Sequence, residues 1–213
     1  MTQTLNAGDL KRIFAQIGTL MQENKDFLCK LDGALGDGDI GLTMDKGFRA
    51  VVESLETFDE ADMGALLLLA AKTMGEKAAS TMGTLMTTAL LRAGKAVQGK
   101  QELEPAEALE MLQAMVKGLT DRGKAQVGDK TILDAFVPAV NAFAQSLSHS
   151  RPLAECLQAS ADAAHEGMKR TVEMQSRHGR AARYLEKSVG HQDPGATVGA
   201  LFFRGFADAV SCR

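Results

Sequence analysis

The sequence predicts an all-α protein, an antiparallel bundle or barrel of eight helices. Apolar residues recur every three or four positions over segments of helical length. No segment shows the sustained alternation typical of a half-buried strand, and the connections between the periodic segments are short. The 11 methionines suit close helix packing, because methionine fills irregular gaps. No linker, repeat or change in composition divides residues 1–213, so we expect one domain.

The first four helices are predicted from their apolar faces. Asp62 lies in the N-cap region of the third, since aspartate accepts the free N–H groups of a first turn. Two glycines and a cluster of hydroxyl residues precede the fourth. The predicted ranges are 9–31, 40–55, 59–74 and 85–97.

The last four helices have two prolines as markers. Pro105 stands where a first helical residue is expected. Pro138 falls inside the sixth helix and is expected to bend it or loosen one turn. The predicted ranges are 105–121, 133–147, 153–174 and 196–210.

Four polar, glycine-bearing loops interrupt this pattern, at residues 32–39, 75–84, 121–131 and 176–195. They follow the first, third, fifth and seventh helices. If short connections make consecutive helices antiparallel, loops after odd-numbered helices lie at the same end. The sequence therefore predicts one composite site at one end of the bundle.

The first of these loops is acidic, with Asp32, Asp37 and Asp39 set among glycines. Gly and Asp are common turn residues, and a single Gly–Asp pair would indicate only a turn. Three neighbouring carboxylates, however, repel one another unless a cation lies between them, and hard oxygen ligands favour Mg2+ or Ca2+. The helix-loop-helix calcium site is excluded by spacing, because Gly41 and Phe48 stand where it needs acidic ligands.

The neighbouring helix start and the other loops add partners for phosphate. First-turn N–H groups and a partial positive charge form an anion site. Candidate phosphate partners are Thr43, Gly83, Thr84, Lys124, Lys130 and Arg180, and Asp193 adds an acid. Phosphoryl transfer needs mainly positioning and charge neutralisation, so this set favours a nucleotide site.

Individual residues of this set also have simpler interpretations. Arg180 can be a solvated charge at a helix end, and Asp193 can belong to a turn. Asp129 is a candidate cap for the sixth helix. His191 is either catalytic or an anchor for backbone carbonyls. The remaining histidines are interpreted as structural or exposed: His149, His165 and His178.

Composition argues against several classes of protein. The formal net charge of −3 gives no basic face for nucleic acid. Lysine and arginine are scattered, and the longest apolar run, 66–71, is far shorter than the roughly 20 residues of a membrane helix. We expect reduced packing cysteines at Cys29, Cys156 and Cys212 and, without a secretory leader, a cytoplasmic protein.

Three stretches carry a family resemblance: LDGALGDGDIGLTM at 31–44, RGKAQVGDKTIL at 122–133 and GRAARYLEKSVGHQDPGAT at 179–197. Together they resemble the L subunit, the nucleotide-binding part, of dihydroxyacetone kinases. The resemblance extends over nearly the whole chain. It implies a barrel of eight antiparallel helices and a phosphotransferase activity. It also implies Mg2+, with two ions expected, and ADP or ATP as cofactors.

The resemblance also assigns residues. The metal ligands fall on Asp32, Asp37 and Asp39, which with Arg180 are the expected catalytic groups. The expected nucleotide contacts are Ile40, Gly41, Leu42, Thr43, Thr81, Met82, Gly83, Gly123, Ile132, Arg180, Gln192, Asp193, Pro194 and Gly195. One departure is Met82, which stands where the family commonly has serine. The phosphate contact of that hydroxyl then depends on Ser80, Thr81 or Thr84.

The resemblance implies partners as well. The small ketose is held by a separate K subunit, and in one branch of the family a phosphohistidine protein of the sugar phosphotransferase system rephosphorylates bound ADP. Two other functions stay open: a nucleotide-loaded regulatory module that docks on a transcription factor, and the ATP domain of a fatty-acid kinase. The turn at 191–195 argues against the fatty-acid kinase.

Overall fold

The chain forms nine α-helices and one short strand pair within residues 4–211, which the computed structural model describes. Two 3-10 segments, Thr171–Glu173 and Ala181–Ser188, lie between the last two helices. In chain order the elements are β1 (Leu5–Asn6), α1 (Ala7–Glu23), α2 (Lys25–Leu35), α3 (Ile40–Glu56), α4 (Met63–Lys77), α5 (Thr81–Ala96), β2 (Glu102–Leu103), α6 (Pro105–Gly123), α7 (Leu133–Ser148), α8 (Leu153–Arg170) and α9 (Pro194–Ser211).

Side-chain caps fix several helix starts. Asn6 and Asp9 form a reciprocal capping box at α1. The predicted Asp62 cap is confirmed, since its carboxylate accepts the N–H groups of Gly64 and Ala65. Pro105 is the first residue of α6, as expected.

Eight helices close into a ring, which confirms the predicted all-α class. Helix α1 packs against both α3 and α9, and from α3 to α9 each helix packs against the next. Helix α2 is additional, because the predicted first helix is interrupted at Asn24, whose side chain turns back to donate to the Leu20 carbonyl oxygen. Helix α2 packs on α3 and runs to Leu35, so Asp32 lies in a helix and not in the predicted loop.

Phenylalanines from three helices meet inside the ring. The Phe202 ring of α9 lies 5.3 Å from Phe136 of α7 and 6.4 Å from Phe48 of α3, measured between ring centroids. Buried apolar side chains of every α-helix join them in one cluster. Cys29 and Cys156 are free thiols, while Cys212 lies outside the described residues. None of the described helices is long and apolar enough to cross a membrane.

Some predicted bounds are wrong in ways that matter for the site. Helix α5 begins at Thr81, so the hydroxyl cluster forms its first turn instead of a preceding loop. Helix α8 ends at Arg170, four residues before the predicted end. Pro138 lies inside α7 as expected, and Gly167 of α8 packs against it and against the Asp134 carbonyl oxygen.

Candidate nucleotide site

All four polar loops meet at one end of the ring, around a cavity of about 440 Å³. Each loop contributes residues to the lining of this large cavity. They come from the segments 32–40, 79–82, 130–132 and 176–195. The convergence predicted from helix parity is therefore confirmed. It arises because consecutive ring helices alternate in direction.

Three carboxylates form the acidic cluster at the mouth of this cavity. One oxygen from each of Asp32, Asp37 and Asp39 lies within 4.8 Å of the others. Asp32 also shapes the turn, since its Oδ2 accepts the N–H groups of Asp39 at 3.0 Å and Ile40 at 3.4 Å. Burial, followed by the charges of Asp37 and Asp32, raises the pKa of Asp39. Asp37 and Asp39 are exposed and Asp32 is half-buried, and these three mutually repelling carboxylates suit a hard divalent cation.

Arg180 balances part of this charge. Its Nη2 lies 2.7 Å from Asp37 Oδ2, and its charge lowers the pKa of Asp39 against the larger opposing effects. Arg180 belongs to the segment between the first 3-10 segment and the start of α9, which contains the second 3-10 segment. We call residues 174–190 the Arg180 loop. The ion pair joins this loop to the acidic cluster across the cavity.

A second cavity of about 380 Å³ adjoins the first, and both share Thr81, Ile132 and His178. We call it the small cavity. Its lining includes the apolar side chains of Leu85, Leu119 and Leu133, together with Gly123. The predicted contacts Gly123 and Ile132 therefore lie here, beside the acidic cluster's cavity.

The turn at 192–195 begins α9. Asp193 Oδ2 accepts the Ala196 N–H at 2.6 Å, and the Asp193 N–H is donated to Thr171 Oγ1 at 3.0 Å. Burial raises the pKa of Asp193 to about 7, against the lowering effect of the Ala196 N–H. Gln192 donates to Thr197 Oγ1. Asp193 thus caps a helix, which agrees with its simpler interpretation, and it also lines the large cavity with Pro194 and Gly195.

The first turn of α5 shows which hydroxyl group can replace the missing serine. Ser80 Oγ accepts the Gly83 N–H as the helix cap, and Thr84 Oγ1 donates to the Ser80 carbonyl oxygen. Thr81 is exposed at the junction of both cavities, and within residues 4–211 its hydroxyl has no hydrogen-bond partner. Met82 lies against Gly195 in the large cavity.

Four predicted contacts do not line either cavity: Gly41, Leu42, Thr43 and Gly83. A Cβ on Gly41 would overlap the Lys25 carbonyl oxygen, and one on Gly83 would overlap that of Ala78, so both glycines permit close backbone packing. Leu42 is 58% exposed. As nucleotide contacts these residues stay predictions, and those at the start of α3 would act through first-turn N–H groups.

Neither of the two lysines predicted as phosphate partners presents a free ammonium group to the large cavity. Lys124 is exposed, has a left-handed backbone at the C-cap of α6, and lines neither cavity. Lys130 is buried, and its Nζ donates to the carbonyl oxygens of Met174 and Ser188. Asp129 does not cap α7. Its carboxylate accepts the Gln126 N–H and contacts the His178 ring at 3.2 Å.

His178 is a residue that sequence reasoning missed. It was expected to be structural or exposed, yet it lines both cavities, and Asp129 holds its Nε2. No spacing in the sequence links positions 129 and 178. Sequence reasoning also missed Asp134. Its carboxylate accepts the N–H groups of Gly128 and Thr131 and so shapes the loop before α7.

A family model described as the DAK2 domain matches residues 34–208. The PEP-dependent dihydroxyacetone kinase ADP-binding subunit DhaL of Escherichia coli (strain K12) is 37% identical over 84% of this chain and 86% of its own length. This chain belongs to the L-subunit family of dihydroxyacetone kinases.

Other members of the family are also similar over most of the chain. The ADP-binding subunit of PEP-dependent dihydroxyacetone kinase 1 of Listeria innocua is 35% identical over 87% of this chain and 88% of its own length. The L-erythrulose kinase of Pectobacterium atrosepticum is 31% identical over 86% of this chain but only 31% of its own length.

Solved structures show the same fold. The native dihydroxyacetone kinase of C. freundii has a TM-score of 0.72 and 26% identity, covering 95% of this chain and 34% of that chain. The structure of the C. freundii kinase with AMP-PNP and Mg2+ has a TM-score of 0.76 at 24% identity, over 98% of this chain and 35% of that one. The chain thus spans about a third of the solved kinase chains that it matches.

Proposed function

We propose that this L-type chain binds Mg2+ and ADP or ATP and is the phosphoryl-transferring subunit of a dihydroxyacetone-type kinase. The observation that carries the proposal is the acidic cluster, whose three carboxylates face a cavity that adjoins a second one lined in part by leucines. Phosphoryl transfer asks the protein mainly for positioning and charge neutralisation, and this end of the ring offers both.

The carboxylates fit a divalent cation by their chemistry. All three ligands are hard oxygen donors, and the pKa of Asp39 is raised in part by Asp37 and Asp32, a repulsion that a cation relieves. Asp32, Asp37 and Asp39 would hold Mg2+, with two ions expected from the resemblance. The metal would supply neutralisation of phosphate charge.

The two cavities divide the nucleotide between them. The leucines that line the small cavity, Leu85, Leu119 and Leu133, suit a purine base. The large cavity, with the acidic cluster and Arg180, suits the phosphates. The E. coli and Listeria relatives are named ADP-binding subunits, which supports ADP as the resident nucleotide.

Arg180 is the proposed catalytic cation. Its guanidinium already lies at the acidic cluster, 2.7 Å from Asp37, and its planar donors match phosphate oxygens. Thr81 and the first-turn N–H groups of α3 would position the same phosphates. None of these groups needs to form a covalent bond, since positioning and charge supply the catalysis.

The phosphoryl acceptor and the phosphoryl donor are inferred from the names of the relatives. We expect dihydroxyacetone or a related small ketose, held by a separate K subunit, as the acceptor, because related proteins act on dihydroxyacetone or erythrulose. The PEP-dependent and PTS-dependent relatives support a phosphohistidine protein as donor to bound ADP. A cytoplasmic location and a single domain stay predictions.

Metal-dependent nucleotide binding is the first test. Asp37→Asn should weaken ADP affinity in Mg2+ at least tenfold, since it removes one metal ligand and the partner of Arg180. Isothermal titration calorimetry with and without Mg2+ measures this. Asp59→Asn, an exposed position between α3 and α4, is the matched control and should bind normally. Unchanged affinity in Asp37→Asn would refute the metal assignment.

Catalysis is tested by adding the partner. Purified chain, a K-type subunit, dihydroxyacetone and a phosphoryl donor should give dihydroxyacetone phosphate, whereas omission of either chain should give none. Product formed by the K-type subunit alone would contradict the proposal. Nucleotide binding without product in any combination would favour the regulatory module instead.

A further inference from the structure

We propose that Lys130 is a positioning residue for the nucleotide site: its buried ammonium ties the two ends of the Arg180 loop together and so fixes Arg180 opposite the acidic cluster. This inference rests on the proposed function, because it assigns a role within that site.

The contacts of Lys130 are unusual for a lysine. The residue is 3% exposed, and its Nζ lies 3.0 Å from the Met174 carbonyl oxygen and 2.5 Å from that of Ser188. These two carbonyls bracket the Arg180 loop. A buried cation is costly unless donors and acceptors match, and backbone carbonyls are the matching acceptors here. An apolar side chain would fill the same space but could not join the two ends.

Further bonds close the loop beside Lys130. The Ser176 N–H donates to Ser188 Oγ at 2.8 Å, and Ser188 Oγ donates to the Leu185 carbonyl oxygen. The Gly190 N–H donates to the Val172 carbonyl oxygen at 2.7 Å. We call this set, with the two Lys130 bonds, the neck of the Arg180 loop. All of these bonds lie at or near the ends of the loop.

Beyond the neck the loop has few attachments. Asp129, the residue before Lys130, accepts the Arg177 N–H through its carbonyl oxygen and contacts His178 through its carboxylate. Within residues 4–211, Asp37 is the one carboxylate that forms an ion pair with Arg180. The following residues are largely exposed, Leu185 at 62% and Tyr184 at 45%. Apart from its ion pair with Asp37, Arg180 is therefore positioned by the neck and by Asp129, the residue next to Lys130.

The backbone also indicates that the position of Lys130 is imposed by its surroundings. Its φ is 62°, in the left-handed region that lysine rarely adopts. Such a conformation persists where surrounding contacts overdetermine it, and it is common at functional sites. Ser176 also lines the large cavity, and its buried Oγ has no hydrogen-bond partner within residues 4–211.

Two variants test the role of the ammonium. Lys130→Met keeps the unbranched apolar chain and removes the charge. Lys130→Gly removes the side chain but relaxes the left-handed backbone, so a shared effect cannot come from backbone strain. Lys124→Met is the matched control, since Lys124 has a φ of 54° but is exposed and outside both cavities.

Limited trypsin digestion without nucleotide, followed by mass spectrometry, reports on the loop. Its exposed basic residues are the cleavage sites: Arg177, Arg180, Arg183 and Lys187. Both Lys130 variants should be cut there at least tenfold faster, with hydrogen exchange in α7 and α9 unchanged, and should bind ADP in Mg2+ about tenfold more weakly. Lys124→Met should resemble the unsubstituted protein.

Three outcomes would overturn the inference. Unchanged loop cleavage with weaker ADP binding would make Lys130 a direct phosphate contact. Faster exchange throughout α7 and α9 would make its role global stability. Unchanged cleavage and binding would give it no role. If the unsubstituted protein itself fails to bind ADP in Mg2+, the proposed function fails, and the cleavage comparison still decides whether Lys130 fixes the loop.

Discussion

The two sides of the large cavity are built in opposite ways. On one side, Asp37 and Asp39 are exposed carboxylates that repel each other, and the turn between α2 and α3 is shaped chiefly by the bonds to Asp32. On the other, the Arg180 loop is closed by groups that are buried and hydrogen-bonded, among them Lys130 and Ser188.

The difference separates two tasks. Charges that a ligand must neutralise stay exposed, since burying them without a partner would be costly. Groups that fix geometry are buried, where each satisfied hydrogen bond holds the backbone in place. Substitutions on the acidic side should therefore change binding more than stability, while those on the loop side should change stability as well.

Asp39→Asn gives the largest expected effect on the acidic side. Removing this metal ligand should lower ADP affinity in Mg2+ by more than 100-fold, about 2.7 kcal/mol. The melting temperature without metal should stay equal or rise, because burial and the charges of Asp37 and Asp32 disfavour the ionised Asp39 carboxyl, as its raised pKa shows. Calorimetry measures the affinity, and thermal unfolding in a chelator measures the stability.

Asp59→Asn again serves as the control for both measurements. A loss of binding accompanied by a clear fall in melting temperature would contradict the division of tasks, because it would make Asp39 a structural residue. Affinity within threefold of the unsubstituted protein would remove Asp39 from the metal site.

The ring of helices was predictable because each helix carries its own local pattern. Apolar spacing and caps such as Asp62 and Pro105 are read directly from neighbouring residues. Helix parity then placed four loops at one end, and the acidic cluster followed from Asp32, Asp37 and Asp39 being close in sequence. The interruption at Asn24 was missed because the apolar spacing continues through it.

The loop side was less predictable because its contacts are distant in sequence. Lys130 bonds to Ser188, and Asp129 contacts His178, across separations that no local pattern records. A lysine in a polar loop was therefore interpreted as a phosphate partner, and His178 as structural or exposed. Helices α7 and α8 pack against each other, and Lys130 precedes the first while His178 follows the second, so both contacts depend on the folded chain.

Asp193 gives the next largest effect, on the loop side. Its pKa of about 7 in the folded protein, from burial, lies above its ordinary value of 3.8. Between these pH values the folded state binds more protons than the unfolded chain, so this group's contribution to the unfolding free energy falls as pH rises. Asp193→Asn removes that titration while its side-chain oxygen still accepts the Ala196 N–H.

Relative to the unsubstituted protein, Asp193→Asn should therefore gain stability from pH 4 to pH 7, on the order of 3 kcal/mol. Urea unfolding at several pH values gives the difference between the two proteins. Asp26→Asn, at an exposed position in the first turn of α2, provides a control that should leave the pH profile unchanged. A constant difference across this pH range would mean that Asp193 is ionised throughout.

Thr81 gives the smallest expected effect and lies at the junction of the two cavities. Thr81→Val replaces only its hydroxyl, which bonds to no other group within residues 4–211, with a methyl group, so stability should change by less than about 0.5 kcal/mol. If this hydroxyl replaces the family's serine at position 82, ADP affinity in Mg2+ should fall three- to tenfold, about 1 kcal/mol. Thr88→Val is the matched control, because the Thr88 hydroxyl donates to the Thr84 carbonyl oxygen and lines neither cavity. Equal affinities in the two variants would show that the contact made by serine elsewhere in the family has no replacement at Thr81, and that Arg180 and backbone N–H groups hold the phosphates without it.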